Sequence, residues 1–424
     1  MNSPCFSAAD ILLPPIVETA RGLWSTIACD QFTSEPDYWN RAEALVGDAP
    51  STLRLMLPEV WLGEATDRLP AIHRAMQTAL DTVLVSHPGS MIAVERTQSD
   101  GRVRHGLVGK IDLEQYDYNR GATSLIRATE GTVLERIPPR VAIRRGAPLE
   151  LPHVMLLIDD PRKTVLEPLF DAPAASRALA YECDLMLGGG HIRGTYLDPA
   201  EQSRILRALD DLISPAALTE RYGSVAADHA PLLFAVGDGN HSLASAKAAY
   251  EELKATLGPA AASHPARYAL VEVVNLHDDA LQFEPIYRVL FGVKPEEVLA
   301  DLRTYIAKLH GTAQPQKMTC VRAKTTDTPL SVPTPARQLT VGTLQDFLDD
   351  YLHAHPGATA DYIHDESSLR ALTDRPDSIG FLFDGMEKSQ LFRTVLCDGA
   401  LPRKTFSMGH ARDKRYYMEC RRIR

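Results

Sequence analysis

The stretch from Leu232 to Leu276 constrains the fold more than any other part of the chain, because it reads as strand, sharp turn, helix and strand in succession. Leu232, Leu233, Phe234, Ala235 and Val236 form a short apolar run bounded by Pro231 and Gly237, the pattern of a buried strand. Further on, Leu243, Ala246, Tyr250, Leu253 and Leu257 recur near the helical period of about 3.6 residues. Lys247, Glu251, Glu252 and Lys254 lie beside or away from that stripe, and Gly258-Pro259 stops it. Tyr268 to Leu276, rich in Val and Leu, supplies the second strand. The expectation is a strand, helix, strand unit with parallel pairing, in which ligands gather at the carboxyl ends of the strands.

The turn reads Gly237-Asp238-Gly239-Asn240-His241-Ser242. A helix start offers unpaired N–H donors and about half a positive charge, which suits a phosphate or carboxylate. Gly237 and Gly239 let the backbone come close. Asn240 can cap the helix, His241 can donate to an anion or transfer a proton, and Asp238 can hold a divalent metal or accept a proton. Taken alone, the same residues also make an ordinary turn with an N-cap.

With 424 residues the chain has room for two or three domains and a large core. A formal net charge of -10 argues against a general nucleic-acid coat, whose footprint is basic. The six cysteines are scattered without CxxC or metal-ligand spacing, and read as free thiols in a reducing cytosol. No apolar run approaches the length of about eighteen residues that a membrane span needs, and the amino terminus lacks a signal-like pattern, so the expected location is cytoplasmic. Neither a Gly-Lys-Ser/Thr phosphate loop nor GxGxxG is present, so any nucleotide must be held by another device.

The fold class expected is α/β, with mixed α+β possible. Apolar runs at Trp24 to Cys29, Met91 to Val94, Val103 to Ile111 and Val154 to Ile158 read as strands, and Leu69 to Val85 as a helix. Gly188-Gly189-Gly190-His191, followed by Arg193, reads either as a loop for close ligand approach or as a flexible turn. Ala200 to Ile213 reads as a helix with Asp198 as its cap. Residues 310–337, with four prolines and many threonines, lack periodicity and read as a linker. The expected organisation is therefore a mixed α/β core over 1–309, a linker-like segment over 310–337, and a smaller α/β segment over 338–424 with a helix at Leu344 to His353 and an apolar run at Ile379 to Phe383. The basic residues Arg412, Lys414, Arg415, Arg421, Arg422 and Arg424 make either an anion-facing strip or, more commonly, a solvated end.

Several segments resemble, in matching order, the bacterial and archaeal family known as domain of unknown function 1015. They are Trp24 to Gln31, Ser51 to Leu55, Gly106 to Gly109, Gly188 to His191, Gly237 to Ser242 and Leu401 to Phe406. In that family the loop usually reads Asp-Gly-His-His-Arg, which is similar to the phosphate-binding box of the ParB and sulfiredoxin superfamily. The resemblance implies a ParB/sulfiredoxin-like core with a phosphate on the helix start, and a nucleotide such as ADP or ATP with Mg²⁺. Gly237, Gly239, Asn240 and Ser242 would hold the phosphate, with Lys404 as an added cation. Asp238 would bind the metal, and His241 or Asp30 would move the proton. Ser242 stands where the usual pattern has arginine, and a hydroxyl does not replace a bidentate guanidinium. Arg136, Arg140 and Arg144 are candidates to supply the charge, although Pro138-Pro139 is expected to break the helix on which they would align.

Three functions are open on this reading. The first is a nucleotide-dependent phosphotransferase acting on a small hydroxylated metabolite such as serine or phosphoserine. The second is a non-catalytic regulator binding a nucleotide or phosphometabolite. The third is a metal-dependent hydrolase using Asp159, Asp160, Asp238, His241, Asp278 and Asp279. In each the partner is a small phosphate-bearing molecule or substrate, with neither membrane nor nucleic acid expected. His105 and His153 read as satisfied core or edge histidines, and Asn275 or Arg288 is expected to border the site.

Overall fold

The computed structural model describes residues 5–171 and 177–424. These divide into two compact units, the first comprising residues up to Ala128, Thr132–Leu281 and His410–Arg424, the second Thr129–Gly131 and Gln282–Gly409. Among the described residues the first unit is built on a ten-stranded sheet. In chain order its strands are β1 (Phe6–Ser7), β2 (Ile92–Thr97), β3 (Val103–Asp112), β4 (Tyr116–Asp117), β5 (Ile126–Ala128), β6 (Met155–Ile158), β7 (Leu179–Leu185), β8 (Gly190–Tyr196), β9 (Phe234–Asp238) and β10 (Tyr268–Asn275). Across the sheet the order is β7-β8-β2-β3-β10-β6-β9-β5-β4, with β1 paired to β3. The pairing is mixed: β6 runs parallel to β10 and antiparallel to β9.

Side-chain alternation along the strands divides the core between the two faces. On β10, Ala269, Val271 and Val273 join Ile205, Leu209, Leu243 and Tyr250 on one face. Leu270 joins Trp24, Trp39, Ile72, Met76 and Tyr416 on the other. Ile72 and Met76 come from α1 (Ala65–Thr82), Ile205 and Leu209 from α3 (Pro199–Leu212), and Leu243 and Tyr250 from α4 (Asn240–Leu257), while α2 (Ile137–Arg144) packs through Ile137 and Val141 on Ala244 of α4. The start of α3 is a capping box, in which Asp198 accepts from the Glu201 N–H as expected of a cap.

Two expectations about this region are corrected. The strands β9 and β10 are not a parallel pair, because β6 lies between them and they run in opposite directions. The cause is the path of α4, which crosses the sheet: Tyr250 and Lys254 both bond Glu114, just past the end of β3, whose Asp112 faces Tyr268. The chain therefore re-enters the sheet at the end it left, since Asp238 lies level with Met155 and Glu272. Pro138 and Pro139 do not break α2 but occupy its first turn, where the missing N–H has no intrahelical partner to lose. The apolar stripe of α4 also fades at its end, where Leu257 is exposed.

The second unit carries a five-stranded sheet among its described residues, with β11 (Tyr287–Phe291), β12 (Gln316–Arg322), β13 (Thr328–Val332), β14 (Thr359–Ile363) and β15 (Ser378–Leu382) in the order β13-β12-β15-β11-β14. Residues 310–337 are thus not a linker, because β12 and β13 form a hairpin within them. The prolines concealed it: Pro329 lies in the edge strand β13, the one kind of strand position that tolerates a missing donor. A helix, α5 (Thr340–Ala354), follows where one was expected. The boundary between compact units accordingly falls at Leu281 and again at His410, rather than at 310–337.

The basic carboxyl end is only partly solvated: Arg412, Arg422 and Arg424 are exposed, whereas Arg415 and Arg421 are buried. Tyr416–Tyr417 pairs with Thr26–Ile27, and Arg421–Arg422 with Leu149–Glu150. Arg415 is buried, bonding Glu272 at 2.8 Å and Glu419 at 2.6 Å, and Glu419 accepts from the Tyr181 hydroxyl. Arg104 also bonds Glu272, whose carboxylate occupies the room left by Gly106, where a Cβ would lie 2.3 Å from its Oε1. Burial pushes the Glu272 carboxyl up, but Arg104 and Arg415 together outweigh it and hold it below the usual carboxylate range.

Removing one member of a buried pair strands the other charge, which costs about 3–5 kcal/mol. Arg415→Met is expected to destabilise the protein by about that amount at neutral pH in urea unfolding. A carboxylate with a depressed folded pKa contributes its stability above the unfolded value and loses it as pH falls through the folded one. The gap between the native protein and Arg415→Met should therefore narrow below the ordinary carboxylate range.

Candidate functional site

The site begins where β9 turns into α4. Asp238 ends the strand and Gly239 adopts a left-handed conformation with φ 77°. No L side chain fits there comfortably, since a Cβ would also lie 3.0 Å from the backbone of Val154. Asn240 is the first helical residue, and Gly239, as N-cap, has no side chain with which to satisfy the first-turn N–H groups. The expected positions Gly237, Asp238, Gly239, Asn240, His241 and Ser242 thus form one strand–turn–helix corner.

Asp238 uses both carboxylate oxygens. One accepts from the Gly239 N–H at 2.9 Å, and the other pairs with the Lys414 ammonium at 3.2 Å. Burial raises its pKa, yet Lys414, His153 and the Gly239 N–H prevail and keep it below the usual range. His241 is half-buried and accepts from the Val133 N–H at 3.4 Å, a bond that requires a neutral ring nitrogen. Its pKa is lowered by burial first, then by the charges of Arg140 and Arg136. These arginines reach it because α2 packs along α4. Arg140 is also paired with Glu59, whereas Arg136 is exposed at the start of α2.

Ser242 bonds Nε2 of His153 at 2.7 Å, and Nδ1 of the same ring bonds the Tyr417 hydroxyl at 2.9 Å. Asp30 lies beside this pair, its Oδ2 3.9 Å from His153 Nε2, while its Oδ1 accepts from Gln31. Asp30, Asp238, His241 and Ser242 are therefore brought together in the first unit. Lys404 belongs to the second unit, with its ammonium 4.7 Å from the centre of the Tyr362 ring.

Other expected residues have different roles. Asn275 ends β10 level with Ile158, at the opposite end of β6 from Met155 and Asp238, and there bonds Asp160 and Glu167. Arg288 is fully buried in the second unit and donates to the carbonyls of Ile286, Arg403 and Lys404. Asp160 caps Thr164 and Val165, and Asp159 accepts from Tyr222 and bonds His277. Among the described residues no group of three or more His, Cys, Asp or Glu converges to hold a metal, so the aspartates of the hydrolase reading do not assemble. The triple glycine forms the turn between β7 and β8, where a Cβ on Gly190 would lie 2.2 Å from the Thr97 carbonyl. All six cysteines are free thiols.

Sequence reasoning missed His153, Lys414 and Tyr417 as site residues. His153 is buried and fully bonded, as a core histidine would be, but its partners are Ser242 and Tyr417. Its one signal is its place two residues before β6, the strand beside β9.

The fold and this corner define a mixed α/β protein with a glycine-hinged strand–helix site. The chain belongs to the family described as "Protein of unknown function (DUF1015)", whose model matches residues 15–376. No curated protein matches it. Among solved structures, a free serine kinase in complex with AMP is 11% identical, covering 73% of this chain and 90% of that one, with a TM-score of 0.36. A conserved hypothetical protein from Pyrococcus furiosus is 11% identical over 71% of this chain and 90% of that one, with a TM-score of 0.33. SbnI with a C-terminal truncation, from Staphylococcus aureus, is 11% identical over 71% and 82%, also with a TM-score of 0.33. No helix of the described residues is long and apolar enough to cross a membrane.

Because Arg136 contributes to the lowered pKa of His241, Arg136→Gln should raise it. Burial and Arg140 remain, so the value should stay below that of an ordinary histidine. An NMR titration of the His241 ring checks both the sign and the incompleteness of the shift.

Proposed function

We propose that the β9–α4 corner binds a phosphate-bearing ligand, a nucleotide such as ADP or ATP, and that the protein transfers a phosphoryl group to a small hydroxylated metabolite such as serine. The observation that carries this reading is the meeting of an uncapped helix start with cations from separate elements, Arg136 and Arg140 from α2 and Lys414 from the carboxyl end. Similarity of the loop to the phosphate-binding box of the ParB and sulfiredoxin superfamily points the same way.

Phosphoryl transfer asks little covalent chemistry of a protein; it needs charge neutralisation, alignment and a proton acceptor. The first-turn N–H groups at Asn240 to Ser242 bind phosphate oxygens, and Gly237 and Gly239 let the ligand approach. Arg136, exposed beside His241, supplies the charge that Ser242 lacks in the place of an arginine. His241, held neutral at pH 7, accepts the hydroxyl proton by giving up its long contact with Val133. Asp30 is the alternative acceptor. Mg²⁺ would enter with the phosphates and neutralise their charge, since among the described residues no cage of metal-ligating groups surrounds Asp238.

The engagement of both Asp238 oxygens, with Lys414 and with Gly239, favours a second reading, a nucleotide-binding regulator without turnover.

A ligand present at about a hundredfold excess over its Kd stabilises the folded state by about 2.7 kcal/mol, readily seen as a rise in Tm. ATP, ADP or CTP with Mg²⁺ is expected to raise it, and Arg136→Ala should weaken nucleotide binding by about 1.5–3 kcal/mol, the range for a hydrogen bond to a charged group. If none of these nucleotides, serine or phosphoserine shifts the melting temperature, the phosphate-site reading fails. A nucleotide that binds while no phosphoryl group reaches any hydroxylated acceptor selects the regulator.

A further inference from the structure

Beside the phosphate corner, Ser242, His153 and Tyr417 line one end of a cavity within the first unit. Its remaining walls are mostly apolar, with Leu55, Leu57, Met76 and Leu149 among them, and their charged members are paired with each other, Arg140 with Glu59 and Arg144 with Glu150. Phosphoryl transfer at the helix start uses neither the hydrogen-bonded chain of these polar side chains nor the apolar space behind it. We infer that Ser242 is a nucleophile activated by His153, and that the cavity takes the acyl group of an ester of a medium-length aliphatic acid.

The geometry meets the requirements of such a pair one by one. Ser242 Oγ and His153 Nε2 are 2.7 Å apart, within reach for proton transfer. The imidazole needs a third group to hold its orientation, and Tyr417 fills that place through Nδ1. The Tyr417 hydroxyl already accepts from the Cys29 N–H. Burial drives its pKa well up, so it stays neutral and has a second lone pair for the Nδ1–H of His153. In that tautomer, the one the reaction uses, Nε2 is the acceptor facing Ser242. When His153 takes the proton, the Asp30 carboxylate 3.9 Å from Nε2 stabilises the imidazolium. Ser242 stands in the first turn of α4, so the developing oxyanion meets first-turn N–H groups and the positive end of the helix.

The chemistry balances without a further reactant other than water. As the bond from Ser242 Oγ to the acyl carbon forms, the hydroxyl proton passes to His153 Nε2. The bond from acyl carbon to the alcohol oxygen then breaks, and the alcohol leaves with that proton. Water attacks the acyl-serine, giving a proton to His153, which returns it to Ser242 Oγ as the acid departs. Ester and water become acid and alcohol.

The inference does not rest on nucleotide binding and is read separately from it. The full chain is treated with an alkyl fluorophosphonate, which a histidine-activated serine attacks with loss of fluoride, and the adduct is mapped by mass spectrometry. The expected result is one adduct, on Ser242, none in Ser242→Ala, and labelling slowed about a thousandfold in His153→Gln. Turnover of p-nitrophenyl esters should be faster for octanoate than for acetate, and Met76→Trp, which narrows the cavity, should reverse that preference. Absence of an adduct on Ser242 in the folded native protein overturns the proposal, as does labelling of His153→Gln at the native rate. If either variant fails to fold, the mapped adduct and the chain-length preference of the native protein decide alone.

Discussion

The buried contact between Glu272 and Arg415 is the interaction on which the site depends. Glu272 sits in the middle of β10, a central strand, where an unpaired carboxylate would be among the most costly groups a core can hold. Its neutralisation comes partly from Arg104 on the neighbouring strand and partly from Arg415, which arrives from the far end of the chain. Once Arg415 is fixed, its neighbours are fixed with it. Lys414 is delivered to Asp238, and Tyr417 to His153. A network that looks purely structural therefore sets two of the groups that control the charge and tautomer at the β9–α4 corner. It also explains why the last residues belong to the first unit although the second unit intervenes in sequence.

What could be read in the sequence was local, and what could not was long-range. The β9–α4 turn was legible because strand, glycine, left-handed turn and helix stripe are consecutive residues whose conformations are set by nearest neighbours. Short-range patterns also sufficed for β3, β6, α1, α3 and α5. The relation of β9 to β10 was not legible, because it depends on the direction in which α4 crosses the sheet, and periodicity reports a helix's buried face but not its heading. Arg415 and Arg421 misled for a related reason. A basic run without partners in its own neighbourhood reads as solvated, while the carboxylates that bury these residues, Glu272 and Glu150, are more than a hundred residues away. The hairpin of β12 and β13 was hidden by prolines that an edge strand accommodates.

The corner also shows how positive charge can reach a helix start from outside the helix. An arginine at the position of Ser242 would place its guanidinium on α4 itself. Here the cations near the helix start come from α2 and from the carboxyl end, so their positions depend on packing rather than on one rotamer. The consequence is visible in His241, whose imidazole is held neutral partly by the same arginines. Positive charge and a neutral base usually conflict only mildly in water; in a half-buried site the first enforces the second.

Replacing arginine by serine has a second consequence that a loss of charge does not describe. An arginine at this position would project a long cation past the helix start and would have no use for a hydrogen-bond acceptor such as His153 Nε2. A serine is short, keeps its oxygen close to the first-turn N–H groups, and meets His153 at 2.7 Å. His153 is in turn held by Tyr417, a residue whose position follows from Arg415. The serine that stands where the loop resemblance implies an arginine is thus one that pairs with a histidine beside an apolar cavity. The two proposed chemistries would draw on the same positive helix end, one for a phosphate and the other for the oxyanion of an acyl group, so a ligand on one would hinder the other. On those two proposals, steric and electrostatic competition at a single helix start would couple the corner to the cavity without any conformational change.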